Sequence, residues 1–503
     1  MLVVARENCK VLHYSFQSVT KVDYFVSKLT RYPTNSASVL KQTLWLSGII
    51  LFSLYLTGCD RLFVNTNSLS QVLSSGVLRV GTTYGSTTYF LGSNGSEGFE
   101  YELAKGFADY LDVELEIYPY YNFNQIFPQL AQGHLDIVAA GITATEKRQS
   151  AFKFGPAYQT VSQKLVYKQG RTRPKSPYDL QGKLTVTVGS SHAETLQILQ
   201  QNEPNWQQVN WHETANEDVE ELLLLIQQDK LDYTIIDSNT LAVMRRLYPE
   251  LSVGFTVYQQ QQVAWALNQH QDDALLGALI EYFGEIKNNG TLAVLEEKYF
   301  GHVRQFNYVD TSAFLAAAKN TLPQYQAFFE HYAADVDWRL IAAMSYQESH
   351  WDPLARSPTG VRGIMMLTLP TAKDWGVTSR LDVEQSIRGG TQYFSNLLRR
   401  IPDRIQYPDR MWFALAAYNI GLGHLEDARI LTQRAGGNPD LWIDVKRYLP
   451  QLRQKRFYKT TKYGYARGNE AVKYVSNIRR YYDSLVFLTE QNTAQDITIS
   501  TEK

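Results

Sequence analysis

Glu348 is the residue best placed by its neighbours to do acid–base chemistry. Asp337, a residue type that caps helix N-termini, opens a helical stretch in which Leu340, Ile341 and Met344 form an apolar face. Glu348 continues that face into the last turn instead of pointing to water. Apolar surroundings and the negative end of the helix dipole both favour the neutral acid and raise its pKa. Such an acid can protonate a glycosidic oxygen, although a buried Glu paired with Arg or Tyr for structural reasons fits the helix equally well.

Arg148 and Asp237 form a second candidate site. They follow two similar stretches, 132–138 (QGHLDIV) and 228–234 (QDKLDYT), each of which predicts a helix end and a buried strand. Open α/β sheets bind ligands outside the carboxyl ends of their strands. A guanidinium that grips a carboxylate, opposite an Asp that accepts an ammonium group, suits an amino acid, although Arg and Asp also pair on surfaces or cap helices.

The elements that must position these residues change character along the chain. Between 71 and about 300, strands near 77–80, 113–117 and 135–139 alternate with helices and predict a parallel sheet, and the pattern restarts at 184–188 with a second sheet. From about 310 onward the strand patterns stop. Four helical stretches follow, separated by Gly and Pro, and they predict an all-α unit: 312–320, 337–350, 387–400 and 409–417.

Composition limits the function classes. A chain of 503 residues predicts two or three folded units, and 44% apolar with 20% charged residues excludes wholesale disorder. Lys+Arg minus Asp+Glu is 49 − 50 = −1, so no global charge argues for nucleic acid as a partner. The two cysteines, Cys9 and Cys59, are too few for a disulfide scaffold or a Cys-based zinc site. We predict neither a metal nor a cofactor.

Residues 1–58 are predicted to be a leader. The uncharged run LWLSGIILFSLYL at 44–56 is shorter than the ~20 residues a spanning helix needs, and it follows Lys41 in the layout of a secretory signal. The sequence Leu-Thr-Gly-Cys at 56–59 resembles the lipobox of bacterial lipoproteins, which implies lipidation of Cys59; the alternative is a buried apolar segment with an incidental Cys. Cleavage would leave 503 − 58 = 445 residues without a free thiol, which suits an oxidising compartment.

Residues 59–305 resemble the family 3 periplasmic solute-binding proteins. The matching segments are 76–81, 98–103, 143–148 and 154–158. The resemblance implies a two-lobed, non-catalytic α/β domain in which Thr143 and Arg148 hold a ligand carboxylate and Asp237 holds its amine. Ser190 opens a helix directly after a strand, so backbone N–H groups there could join the anion site.

Residues 306–490 resemble the soluble lytic transglycosylase family, whose fold is lysozyme-like; residues 491–503 form a polar tail. Four segments match in family order: 348–353, 360–366, 417–423 and 470–475. The resemblance implies that Glu348 is the catalytic acid/base, that Tyr418 and Asn419 line the glycan cleft, and that Tyr474 lies near the glutamate.

This second half departs from the family pattern at two positions. Met366, predicted to contact the substrate, stands where many members have Gln, and Ala471 stands where many have Thr. The first departure removes a possible hydrogen bond to sugar. Neither departure affects the acid.

The family cleaves the β-1,4 bond between N-acetylmuramic acid and N-acetylglucosamine in peptidoglycan. Asp352, the obvious second carboxylate, precedes Pro353 at a helix end, where capping is the expected role, so we predict a single-carboxylate reaction that forms 1,6-anhydro ends. The alternatives are a hydrolytic lysozyme and a solute receptor with an inactive lysozyme-like domain.

The predicted partners are glycan strands, an amino acid or muropeptide in a regulatory first domain, and a membrane reached through the lipid anchor. The predicted location is therefore periplasmic and membrane-anchored. Asp60 resembles an inner-membrane retention signal in some bacteria, but the matching family is usually associated with the outer membrane, which we favour.

Overall fold

The computed structural model describes residues 67–92, 95–121, 123–303, 308–358 and 360–501, with side chains up to 490. These residues fall within one compact unit spanning 67–503. The predicted leader and Cys59 lie outside the described residues. No helix in the described part of the chain combines the length and apolar composition needed to cross a membrane.

The strands all lie in the first half of the chain. In chain order they are β1 (Val77–Thr83), β2 (Phe90–Gly92), β3 (Gly95–Glu97), β4 (Glu114–Tyr120), β5 (Ile137–Val138), β6 (Phe152–Phe154), β7 (Gln159–Lys168), β8 (Thr185–Thr187), β9 (His212–Thr214), β10 (Thr234–Asp237), β11 (Leu251–Val263) and β12 (Ala266–Asn268).

Helices occur in both halves. In the first half they are α1 (Ser68–Ser75), α2 (Phe99–Tyr110), α3 (Phe123–Ala131), α4 (Glu146–Gln149), α5 (Ser191–Asn202), α6 (Val219–Gln227), α7 (Ser238–Met244), α8 (Ala274–Asn288) and α9 (Thr291–Phe300). In the second half they are α10 (Tyr308–Asn320), α11 (Gln326–Tyr332), α12 (Trp338–Ser349), α13 (Leu369–Asp374), α14 (Val383–Arg400), α15 (Asp409–Ile420), α16 (Leu422–Arg434), α17 (Trp442–Tyr448), α18 (Lys455–Tyr458) and α19 (Gly468–Thr501).

The first lobe is built on a five-stranded sheet of order β4-β1-β5-β12-β6. Strand β1 is parallel to β4 and to β5, as the alternation of strands and helices predicts. The parallel pairing of the three predicted strands is confirmed, and β12, which the sequence did not predict, joins antiparallel between β5 and β6. The reason is that β12 enters the sheet only after the chain has built the second lobe and returned.

The second lobe contains the predicted second sheet, but with a different topology. Strand β8 pairs in parallel with β9, whereas the larger sheet has order β10-β7-β11 with both pairings antiparallel. Strands β7 and β11 are long and carry the chain out of and back towards the first lobe. The two-lobed architecture is confirmed, and its parallel character is limited to parts of each lobe.

The second half is helical, as predicted, and the four helical stretches appear as α10, α12, α14 and α15. Helices α12, α15 and α19 share one core, in which Ala414, Ala416 and Ala417 are fully buried and let α15 approach its neighbours closely. Helix α19 begins at Gly468 and continues without a break through the backbone of the predicted tail to Thr501.

Buried ion pairs join the two halves. Glu297 of α9 accepts hydrogen bonds from Arg479 (2.8 Å) and Lys446 (2.5 Å) of the helical half, and Arg479 is 1% exposed. Asp483 of α19 similarly pairs with Arg246 and with His302. The predicted boundary at 305/306 falls between described segments, and the proposed limits of the two domains stay a prediction.

Candidate functional site: a buried acid in the helical half and a charged cleft in the first half

Helix α12 positions Glu348 as the sequence predicts. The Asp337 side chain caps the helix by accepting the Arg339 N–H at 2.9 Å. The helix ends at His350 and Trp351, two consecutive non-glycine residues with left-handed backbone (φ 54° and 59°), a conformation that costs energy. The Trp351 ring is fully buried and its Nε1 donates to the Ala342 carbonyl at 2.9 Å, which holds this turn against the helix.

Glu348 keeps partial access to solvent while its carboxyl group is desolvated. Its Oε1 accepts a hydrogen bond of 2.6 Å from the Tyr474 hydroxyl of α19. Burial raises the pKa of Glu348 to about 7, and the Tyr474 hydrogen bond opposes that rise only in part. No guanidinium or ammonium group among the described side chains pairs with Glu348. The predicted proximity of Tyr474 to the glutamate is therefore present in the structure.

The loop that carries Met366 is fixed to the acid helix. Ser345 and Ser349 both donate to the Ile364 carbonyl, at 3.0 and 2.7 Å, and the Tyr418 hydroxyl donates to the Met365 carbonyl at 3.1 Å. Met366 itself is partly exposed and has a left-handed backbone with φ 48°. The loop thus holds residue 366 against α12, the helix that carries Glu348 in its last turn.

Tyr418 and Asn419 lie at the end of α15. Burial raises the pKa of Tyr418, and the charge of the Glu348 carboxylate adds to that rise. The ring of Tyr393 packs 5.3 Å from that of Tyr418. Asn419 is exposed. Asp352 is also exposed and accepts the Leu354 N–H at 2.8 Å, consistent with the predicted capping role.

In the first half, Arg148 is buried between the lobes. Its Nη1 donates to the Thr143 carbonyl (3.1 Å) and its Nη2 to the Gly189 carbonyl of the second lobe (2.9 Å), while Nε lies 3.5 Å from Glu194 Oε1. Its guanidinium also packs over the rings of Phe123 and Phe127. Arg148 is therefore partly neutralised by the chain itself, and two of its five N–H groups have no partner in these contacts.

The other predicted cleft residues line the same cavity as Arg148. Asp237 ends β10 and lies 3.3 Å from His192 Nε2. The Ser190 side chain caps α5 by accepting the Ala193 N–H at 3.2 Å. The Thr143 hydroxyl is buried and has no hydrogen-bond partner among the described residues, so it is available to a bound group. The structure thus brings Thr143, Arg148, Ser190 and Asp237 together.

Sequence reasoning missed the acids that surround this cavity. Glu194 accepts from Thr145 at 2.6 Å, and Glu220 accepts from the Ser86 N–H and hydroxyl at 2.8 and 2.7 Å, so both carboxylates link the two lobes. Glu220 lies at the start of α6, where the Asp-x-x-Glu capping box of Asp218 and Glu221 marks the helix start but does not single out Glu220. No sequence signal places Glu194 opposite Arg148.

Comparison with known proteins covers both halves. Residues 78–302 match the family described as bacterial extracellular solute-binding proteins, family 3, and residues 327–440 match the transglycosylase SLT domain. Among solved structures, the P235GK mutant of an arginine-binding protein from T. maritima is 26% identical with a TM-score of 0.41, covering 46% of this chain and 99% of that chain.

Two relatives match over almost their entire length. The membrane-bound lytic murein transglycosylase F of Alteromonas mediterranea is 54% identical over 455 residues, which is 90% of this chain and 98% of the relative. That of Pseudoalteromonas translucida is 52% identical over 448 residues, 89% of this chain and 94% of the relative.

A solute-binding-like half followed by a helical half with a desolvated glutamate defines a lytic transglycosylase with an appended binding domain. The chain belongs to the family of membrane-bound lytic murein transglycosylases F. The predictions of fold class and of a lytic transglycosylase are confirmed. The roles of individual residues stay predictions, and among described residues no cluster of three His, Cys, Asp or Glu side chains is placed to hold a metal ion.

Proposed function

We propose that this protein cleaves the β-1,4 bond between N-acetylmuramic acid and N-acetylglucosamine in peptidoglycan with Glu348 as its only acid/base. The observation that carries the proposal is a carboxyl group whose pKa is raised to about 7, with no cation beside it among the described side chains and with part of its surface open. At neutral pH about half of such groups are protonated, which suits an acid that later acts as a base.

In the first step Glu348 donates its proton to the glycosidic oxygen, and the bond from that oxygen to C1 of N-acetylmuramic acid breaks. The carbonyl oxygen of the substrate's own N-acetyl group stabilises the positive charge that develops at C1. Because Oε1 accepts from Tyr474, we assign the transferable proton to Oε2. Tyr474 therefore acts as a positioning residue for the carboxyl group.

In the second step the Glu348 carboxylate removes the proton of the C6 hydroxyl of the same sugar. The C6 oxygen then bonds to C1 and closes a 1,6-anhydro ring. Glu348 ends protonated, as it began, and no water is consumed. Asp352 is exposed and its carboxylate accepts a hydrogen bond from the Leu354 N–H. Because a second catalytic carboxylate would have to face the scissile bond, these contacts support a mechanism with one carboxylate.

The test is digestion of purified sacculi followed by mass spectrometry of the released muropeptides. We expect 1,6-anhydro ends from the wild-type chain and from Asp352→Asn, and almost none from Glu348→Gln. Reducing-end N-acetylmuramic acid in place of anhydro ends would identify a hydrolytic lysozyme instead. Full activity of Glu348→Gln would refute the site, and an inactive wild-type chain would favour the receptor alternative.

We further propose that the first half binds an amino acid or a muropeptide and regulates access to the catalytic half. The unpartnered Thr143 hydroxyl, the two free N–H groups of Arg148 and the Asp237 carboxylate support a zwitterionic ligand. Calorimetry of the whole chain with amino acids and with muropeptides tests this. We expect heat of binding from the wild-type chain but not from Asp237→Asn. If no ligand gave heat of binding, the first half would be assigned a role as a structural spacer only.

The names of the relatives support a membrane-associated, periplasmic protein. We propose attachment through lipidated Cys59, at the outer membrane in preference to the inner. Fractionation of the two membranes from cells that express the wild-type chain and Cys59→Ala tests both points. The variant is expected in the soluble periplasmic fraction.

A further inference from the structure

A strongly basic surface segment lies beside the catalytic acid. Residues 453–467 (RQKRFYKTTKYGYAR) contain six Lys or Arg and no Asp or Glu, in a chain whose net charge is −1. We call them the basic–aromatic segment. It lies outside residues 327–440, the part of the chain that matches the transglycosylase domain.

The cations of the basic–aromatic segment have few anionic partners. Arg467 lies 3.5 Å from Glu470, but the other five form no salt bridge with any described side chain. All six are exposed: Arg453, Lys455, Arg456, Lys459, Lys462 and Arg467. Mutual repulsion of so many unpaired charges is unfavourable unless an anion is bound nearby.

Exposed tyrosines are interleaved with these charges. Tyr463 and Tyr465 are 52% and 53% exposed, and the ring of Tyr465 lies 5.8 Å from that of Tyr458. Aromatic rings beside cations give apolar faces on which a sugar ring can pack, together with charges that can meet its acidic substituents.

The segment is fixed in position rather than merely tethered. The backbone N–H groups of Lys462 and Tyr463 donate to the buried Asp427 carboxylate of α16, at 3.0 and 2.8 Å. The Tyr463 ring packs so closely on Gly423 that a Cβ there would lie 2.8 Å from it. Gly423 lies in the first turn of α16, directly after the end of α15 that carries Tyr418 and Asn419, so the segment abuts this helix junction.

The other end of the segment leads directly into the acid site. Residue 467 is followed by α19, and Tyr474 in the second turn of that helix donates to Glu348. The basic–aromatic segment therefore connects its contact at Gly423, beside the end of α15, with α19, whose Tyr474 donates to Glu348.

We propose that the basic–aromatic segment binds the acidic stem peptides of the murein strand outside the bond that is cut. Murein carries a short peptide with free carboxylates on N-acetylmuramic acid, so a strand extending from the active site presents a row of anions. The inference rests on the proposed function, because it takes murein as the polymer. Location beside the acid favours murein over an anionic lipid surface as the partner.

The experiment measures binding without turnover, in the Glu348→Gln background. Binding to intact sacculi is measured by co-sedimentation, and binding to the glycan strands that an amidase frees of stem peptides (called stripped sacculi below) is measured on a surface that carries the immobilised strands. The triple variant R456Q/K459Q/K462Q is expected to bind intact sacculi about tenfold more weakly and stripped sacculi less than threefold more weakly. Its binding is also expected to depend less on salt, because contacts between exposed charges are screened.

Two control variants accompany the triple variant. K183Q/K230Q/K287Q removes three exposed lysines from the first half and so changes the net charge equally; it is expected to bind intact sacculi like the Glu348→Gln parent. R456K/K459R/K462R keeps the charge and is expected to retain binding, which would show that loss in the Gln variant comes from charge.

Three results would overturn the proposal. They are equal losses on intact and stripped sacculi, no loss on either, and a loss confined to vesicles of phosphatidylglycerol and phosphatidylethanolamine, which would assign the segment to a membrane surface. Failure of the proposed function is seen separately, as absence of anhydro products from the wild-type chain, and does not alter the binding readout.

Discussion

Each half of the molecule buries one carboxyl group whose pKa is raised to about 7, and the two groups have opposite surroundings. Glu100, in the first turn of α2, is 3% exposed and receives hydrogen bonds from the Tyr158 hydroxyl, from Trp265 Nε1 at 2.7 Å and from the Gly141 N–H. Glu348 receives one hydrogen bond, from Tyr474, and remains partly exposed.

The comparison shows that a raised pKa does not by itself identify a catalytic acid. Glu100 borders the Arg148 cavity, but it is only 3% exposed and both of its oxygens accept hydrogen bonds from the chain, so it acts as a structural acceptor in the first lobe. Glu348 has one oxygen without a partner among the described residues, and the residue is partly exposed. Desolvation raises both pKa values, but only access and a free oxygen let the proton be used.

The largest expected effect is the loss of murein-cleaving activity when Glu348 is replaced. Glu348→Gln removes the transferable proton and should lower the rate of anhydro-muropeptide release by about 10²–10⁴-fold. Release from sacculi is measured by chromatography of the soluble products. Asp352→Asn, a carboxylate-to-amide change four residues away, should stay within a few-fold of wild type. Similar losses in both variants would break the single-acid account.

Glu100→Gln tests the structural assignment of the first acid. The amide offers one oxygen to three donors, so at least one buried donor loses its partner, and we expect the free energy of unfolding to fall by about 1–3 kcal/mol. Urea unfolding followed by Trp fluorescence measures the change, with Glu281→Gln as an exposed-site comparison. A variant as stable as wild type would mean that the three hydrogen bonds contribute little.

Glu348→Gln should have the opposite effect on stability, and only at high pH. The native carboxyl has a pKa of about 7 against 4.5 when unfolded, so the wild-type protein loses stability as pH rises through this range. Gln does not titrate. The variant should therefore match wild type near pH 4 and be more stable by roughly 1–3 kcal/mol at pH 8. A constant difference across this range would contradict the assigned pKa.

Tyr474→Phe should change activity the least of these variants. It tests whether the single hydrogen bond to Glu348 sets the pH dependence of the reaction. Loss of the only hydrogen bond to the carboxylate raises the pKa of Glu348 further, so the pH at which kcat/KM falls on the alkaline side should move upward. The rate at its optimum should drop about tenfold, because the carboxyl group is less well oriented. Tyr481→Phe on the same helix is the control. If the alkaline fall of kcat/KM moved to lower pH in Tyr474→Phe, the role assigned to Tyr474 would be contradicted.

Much of the architecture could be predicted from local patterns. The helices near 312–320, 337–350, 387–400 and 409–417 are present because their apolar spacing and caps are local properties. The sheet topology was predicted only in part. The direction of β12 relative to β5 and β6 depends on how the chain returns from the second lobe. Local sequence patterns contain no information about that return.

The sites divide in the same way. Glu348 could be identified from the sequence because the spacing of its apolar neighbours predicts that it lies on the apolar face of a helix. Glu194 could not, since its contact with Arg148 joins positions 46 residues apart across two lobes. The Arg148 guanidinium was expected to be open to a ligand, and the structure shows it partly occupied by the chain's own carboxylate and carbonyls.

The amino-acid sequence alone determined that this chain has an α/β half and a helical half, and that a helix would carry a glutamate on its apolar side. Only the tertiary structure decided which of two buried glutamates keeps a free oxygen. Helix periodicity selects the face on which a side chain lies, but the donors that reach it, and the opening left beside it, come from residues far along the chain.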